Sequence, residues 1–320
     1  MILTDYFYPI PDLTWQFAPQ CGVGHGVIRL PDTPDFDLTD KSHWDALCSK
    51  FHSYGIQPLV VEPLPNALHD HIKAGDEKRD ASIDAFLKML PIMKEQGLTT
   101  VCFNFMAHVG WTRTASNLPE RGGAQVTGFR MDDYIPTHNT ITAEALWDNY
   151  TYFLKAALPE AEKQGIQLAL HPDDPPLPRL GNVERIMISL ENIQKAMSIV
   201  PSPMLGVTYC QATYHMMGED VYEAARALAD KIFFIHFRNC RGDVMDFRET
   251  FHDNGEINMA KIIALYRELG LNVPIRVDHV PQMAGEAHGV AGYTALGRLY
   301  AIGYLKGLLE MHSQPKQNHP

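Results

Sequence analysis

Short apolar runs alternating with stretches of helical period constrain this chain of 320 residues more than any other feature. The runs fall at 14–17, 26–30, 57–62, 99–105, 167–171, 206–210, 232–237 and 274–278. Between them, Ile83, Phe86, Leu87 and Leu90 recur at i, i+3, i+4, i+7, and so do Val221, Ala224, Ala225 and Leu228, and Met259, Ile262, Ile263 and Tyr266. Strand alternating with helix predicts βαβ units and a parallel sheet. Near-continuous apolar strands such as Ile232-Phe233-Phe234-Ile235 suit a sheet covered on both faces. Eight strands with no clear boundary predict an α/β fold, a single-domain (β/α)8 TIM barrel over residues 1–311. The link from 17 to 26 is too short for a helix, so the first repeat is irregular or one of its two strands is misassigned. Pro91 and Pro159 are expected to kink or divide their helices. Residues 118–139, rich in Gly, Pro and polar side chains, read as a long loop or lid. Residues 312–320 read as a disordered tail.

The charge balance narrows the partners. Twenty-seven Lys and Arg against 38 Asp and Glu leave a net charge of −11. That leaves no global basic footprint for nucleic acid or an anionic membrane, although a local arginine can still attract an anion. Five cysteines, an odd number without a C-x-x-C, do not form a fully paired disulfide scaffold, which points to a reducing compartment. The first residues have neither a basic n-region nor an apolar h-region, and no apolar run approaches the length of a membrane span. A soluble, cytoplasmic protein acting on a small molecule is expected, with homo-oligomerisation left open.

In a barrel of this kind chemistry gathers where strands end and βα loops begin. Four consecutive late strands end in residues able to bind a metal: His171, Cys210, His236 and Asp278. A thiolate and a carboxylate neutralise a divalent ion, and two imidazoles add borderline donors. Four such donors would saturate tetrahedral zinc, so a catalytic site with room for substrate favours Mn²⁺ first, with Fe²⁺ or Co²⁺ next. Taken singly, His171 reads as a hydrogen-bonded core residue, Cys210 as a small buried hydrophobe and Asp278 as a helix cap. His279, next to Asp278, is a candidate general base, or else a structural histidine. Tyr293 is a candidate proton donor, or else a packing residue. Arg113, Arg179, Arg238 and Arg276 flank strand ends and are suited to gripping a carboxylate. His69-Asp70-His71 reads as a solvated turn. No phosphate-binding glycine loop and no Gly-x-Ser-x-Gly elbow is present.

Several motifs occur in order along most of the chain. They are Cys102-Phe103-Asn104-Phe105-Met106 with Trp111-Thr112-Arg113-Thr114, His171-Pro172-Asp173-Asp174-Pro175-Pro176, and His236-Phe237-Arg238-Asn239. Glu249, His252 and Gly255 follow, then Arg276 with Asp278-His279, and Gly292-Tyr293 before Gly297-Arg298-Leu299. On these residues the sequence resembles the mannonate dehydratase family, metal-dependent barrels related in fold to xylose isomerase. The resemblance implies metal ligands at His171, Cys210, His236 and Asp278, and acid/base residues at His279 and Tyr293. It also implies substrate contacts at Asn104, Trp111, Arg113, Arg238, His252 and Arg276. The implied reaction is dehydration of a sugar acid, by default D-mannonate to 2-keto-3-deoxygluconate. The chain departs from the family pattern at Ala107-His108, Gly110, Gln211-Ala212, Arg248 and Val280, and it shortens the insertion after Trp111-Thr112-Arg113-Thr114. These departures cluster in loops of the site. They keep two alternatives in view: a metal-dependent sugar isomerase or epimerase, and a non-catalytic sugar-binding barrel.

Overall fold

A computed structural model describes residues 1–286 and 289–311; the expected tail at 312–320 lies outside the described residues. Eight parallel strands close into a barrel: β1 (Ile2–Phe7), β2 (His25–Ile28), β3 (Gln57–Val61), β4 (Thr100–Phe103), β5 (Gln167–Leu170), β6 (Leu205–Cys210), β7 (Ile232–Phe237) and β8 (Pro274–Val277). The ring closes where β1 pairs with β8 in the register Ile2 to Pro274, Leu3 to Ile275 and Thr4 to Arg276.

Seven of the eight expected strands are present within a few residues. The exception is 14–17, which lies in the helix Leu13–Gln20. Its apolar residues imitate a buried strand, but Asp12 caps the helix by accepting from the Thr14 amide at 2.8 Å. The first strand lies upstream, where Thr4 and Asp5 interrupt the apolar run. Both are buried; Thr4 donates to the Ile275 carbonyl, and Asp5 pairs with Arg298 of the final helix, Ala295–Met311.

Pro91 and Pro159 do not divide their helices, Arg79–Glu95 and Ala143–Gln164. Pro159 and Lys155, four residues before it, are exposed, so the carbonyl left without a donor faces water. The triplet His69-Asp70-His71 is helical, within Asn66–Ala74, and His69 is buried against Phe103, Phe105 and Phe153.

The main core lies between the strands and the surrounding helices. A second, smaller cluster fills the lumen with Tyr6, Val27, Val60, Cys102, Ala169 and Phe234, one each from β1, β2, β3, β4, β5 and β7. These positions fix which residues point inward, because side chains alternate along a strand.

The span 118–139 is more ordered than a loop. Ala115–Pro119 and Gln125–Arg130 form a hairpin, joined to Asp246–Glu249 and Cys240–Gly242 in a four-stranded antiparallel sheet. The two halves arise in the loops after β4 and after β7, so the sheet covers the C-terminal mouth of the barrel. Val126 and Phe129 are buried, with Phe129 stacked on Phe247 at 5.9 Å. A Cβ at Gly128 would meet the Phe247 carbonyl at 2.8 Å, so the two inner strands of this sheet approach too closely for a larger residue. Among the described residues no helix is long and apolar enough to cross a membrane.

Candidate metal centre and active-site cavity

Two residues beyond the lumen layer, the alternation brings a second ring of inward positions to the barrel mouth. Strand by strand from β1 to β8 it reads Tyr8, Arg29, Glu62, Asn104, His171, Cys210, His236 and Asp278. All but Cys210 line one cavity of about 510 Å³, in the range of small-molecule sites, and Cys210 is fully buried. The register sets Cys210 beside His236 and His236 beside Arg276 on neighbouring strands.

One donor atom each from His171, Cys210 and His236 lies within 4.8 Å of the others. His171 Nδ1 donates to the Pro172 carbonyl at 2.6 Å, which leaves Nε2 with a free lone pair, as a metal-binding imidazole requires. His236 is buried, and neither ring nitrogen makes a well-aligned hydrogen bond, although Nε2 lies 2.9 Å from Glu62 and Nδ1 lies 3.4 Å from Asp278. Burial alone would raise the Cys210 thiol. The Arg238 guanidinium 3.6 Å from Sγ and the two neighbouring histidines outweigh it and bring the thiol down to about 5. The His171 imidazole and a thiolate therefore stand ready as ligands; against burial and Arg276, Glu62 and Asp278 hold His236 well above the usual imidazole value, so it gives up a proton on joining them, and this donor set fits a divalent transition metal.

A second trio, Glu62, Cys102 and His236, is equally compact. Its chemistry is less suited. Burial, reinforced by Glu62, pushes the Cys102 thiol up to about 11, so it stays protonated. Both Glu62 oxygens accept from one edge of the Arg276 guanidinium, from Nε at 2.8 Å and Nη2 at 3.0 Å.

Asp278 stands beside the first trio. Its Oδ1 accepts from Arg276 at 2.8 Å, and its Oδ2 faces His236 and His279, each at 3.4 Å. His279 takes a positive φ of 44°, rare for a residue with a Cβ. Its ring is sandwiched by Trp111, stacked at 5.0 Å, and Tyr293, edge-on at 5.3 Å. Burial, only partly offset by Asp278 and Glu249, brings His279 down to about 4, so it is neutral at pH 7, and its Nδ1 has no partner. Burial, with Asp278 adding to it, holds Tyr293 well above the usual phenol value, so it keeps its proton.

The remaining expected contacts divide. Asn104, Trp111 and Arg276 line the cavity; Arg113, Arg238 and His252 do not. Arg113 and Arg238 are both joined to Asp174 and Glu249 in a buried network with contacts of 2.6–2.8 Å. That network ties the loops after β4, β5 and β7 to the covering sheet. His252 lies behind β7, stacked on Phe237, with Nε2 donating to the Phe237 carbonyl at 2.7 Å. Arg179 is exposed, in a two-residue strand away from the cavity. Glu62 is the residue that a sequence reading of late strands alone overlooks. It ends the run 57–62, so the strand-end rule applied to early strands also finds it.

The family model described as D-mannonate dehydratase (UxuA) matches residues 11–134 and 130–319. A mannonate dehydratase of Streptococcus agalactiae is 32% identical over 317 residues, covering 89% of this chain and 90% of that protein. Mannonate dehydratase 2 of Halalkalibacterium halodurans is 30% identical and covers 95% of this chain and 97% of its own. The crystal structure of mannonate dehydratase from Streptococcus suis serotype 2 superposes with a TM-score of 0.89 at 27% identity, covering 97% of this chain and 93% of that one. A xylose isomerase domain protein from Planctomyces limnophilus, 14% identical, shares the fold with a TM-score of 0.64.

Proposed function

Since the chain belongs to the D-mannonate dehydratase family, we infer that it is a metal-dependent hydro-lyase that removes water from a sugar acid. D-mannonate is its default substrate and 2-keto-3-deoxygluconate its product. The observation that carries this reading is the convergence of His171, Cys210 and His236 at one cavity wall, beside a neutral His279 in contact with Tyr293.

His171, Cys210, His236 and Asp278 would hold the ion, and Mn²⁺, Fe²⁺ or Co²⁺ is favoured over tetrahedral zinc because the site must also leave room for substrate oxygens. When bound, a divalent ion stabilises the negative charge that develops on the substrate's carboxylate as the α proton leaves. The protein's own groups do the rest. His279, neutral at pH 7 and with Asp278 beside Nε2, accepts the C2 proton. Trp111 covers one face of that imidazole and fixes its plane. Tyr293, protonated, delivers its proton to the C3 hydroxyl as the C–O bond breaks and water departs. The resulting enol becomes the 2-keto acid by taking a proton at C3. Arg276, held between Glu62 and Asp278, fixes the orientation of Asp278.

The test is turnover of D-mannonate by metal-stripped protein with added Mn²⁺, following the 2-keto-3-deoxy acid, with a chelator control. Metal-dependent product is expected. Bound Mn²⁺ without loss of water, but with solvent deuterium entering an unchanged sugar, would replace dehydration by isomerisation or epimerisation.

A further inference from the structure

A sugar acid brings negative charge into the cavity, and the cations there differ in whether a carboxylate already answers them. Arg276 is bound by Glu62 and Asp278. Lys73, on the helix after β3 and almost buried, is held by Asp70 at 2.8 Å. Arg29 is different. It is half-buried, lines the cavity, and among the described residues has neither an ion-pair partner nor a side-chain hydrogen bond. Asp32, exposed on the same rim, does not come within ion-pair distance of it. A guanidinium in a concave site presents a fork of donors shaped for an oxyanion, and here no acceptor is supplied among the described residues.

Its place in the ring says which part of a substrate it meets. Arg29 is the β2 member of the inward ring whose β5 to β8 members are His171, Cys210, His236 and Asp278. In a closed ring of eight, β2 faces β6, so Arg29 lies across the mouth from Cys210. A substrate whose C1 to C3 atoms lie against His279 and Tyr293 has its remaining carbons in the part of the cavity lined from β2, β3 and the segment after β4. We propose that Arg29, with Lys73, forms a distal oxyanion subsite, and that the preferred substrate is a sugar acid carrying a second anionic group, carboxylate or phosphate, at the end far from the reacting carbons. The orientation of the substrate rests on the dehydratase reading; the unanswered guanidinium does not.

The test compares D-mannonate with two relatives of the same stereochemistry, the aldaric acid with a carboxylate at C6 and the C6 phosphate ester. Mn²⁺-loaded wild type, Arg29→Ala and Arg29→Lys are each assayed for turnover and titrated calorimetrically with all three compounds. One or both dianions should bind wild type about 10- to 100-fold tighter than D-mannonate, the range of a hydrogen-bonded charge contact. Arg29→Ala should abolish that preference through KM, Arg29→Lys should restore part of it, and added salt should weaken it. Whichever dianion shows the preference identifies the anion. Equal binding of all three by wild type, or equal loss of all three in Arg29→Ala, overturns the subsite. If D-mannonate turns over without a dianion preference, the subsite fails and the dehydratase reading stands. If no compound turns over but an Arg29-dependent preference is measured, the reverse holds.

Discussion

Cys102 and Cys210 both stand near the His236 imidazole, and their surroundings give them opposite characters. Cys210 has Arg238 and two histidines beside it and is brought down to about 5; Cys102 has Glu62 and is pushed up to about 11. In metal-free protein at pH 7 the ultraviolet thiolate absorbance should therefore fall on Cys210→Ser and stay unchanged on Cys102→Ser, and metal content should fall only with the former. A wild-type protein without thiolate absorbance at neutral pH would contradict this assignment. Tyr293→Phe should retain the metal and lose about 10²- to 10⁴-fold in turnover, the usual worth of a positioned proton donor. Normal turnover in that variant would remove Tyr293 from the chemistry. At this scale the sequence was informative where residue type and strand end coincide, as at His171, Cys210, His236 and Asp278. It was uninformative about partners. Nothing in Arg113 or Arg238 announces that Asp174 and Glu249 will occupy them, because those contacts join residues as far apart as 136 positions. Removing one member of such a buried network leaves a charge uncompensated. Arg238→Met should lower unfolding free energy by about 3–5 kcal/mol in a denaturant titration.

Among the elements, period decided what could be read. The helices containing Ile83, Ile262 and Val221 follow a 3.6-residue repeat long enough to recognise, and each is present. The run 14–17 carries too few residues to separate period 2 from period 3.6, and the deciding signal was the Asp12 cap just before it. Asp12→Ala should cost about 0.5–2 kcal/mol, read as a lowered denaturation midpoint with an unchanged slope. The hairpin Ala115–Pro119 and Gln125–Arg130 was obscured by its glycines, and its further partner strand comes more than 100 residues later. Since Gly128 lies against the Phe247 backbone, Gly128→Val should splay this sheet. Hydrogen exchange of the amides in Gln125–Arg130 should then accelerate while the barrel strands remain protected. Trp111, held over His279 between the end of β4 and this sheet, should show the change as altered fluorescence.

For the whole molecule, the barrel was legible from eight apolar runs even with one misplaced, because a closed ring tolerates an error in one strand without a change of architecture. Its closure was not legible. It depends on β1 pairing with β8 and on Asp5 meeting Arg298, 293 positions along the chain. At about 5–20 residues per second, a ribosome takes roughly 15–60 s between making these two residues. Throughout that interval β1 lacks one neighbouring strand and Asp5 lacks its counter-ion, and an unpaired edge invites pairing with another chain. Every proposed metal donor is also made after residue 170, whereas the Arg29 side of the mouth exists from the start. A growing chain thus contains Arg29 before any of the residues proposed to hold an ion. The proposed site is complete only when the last strand of the barrel has been made and paired with the first.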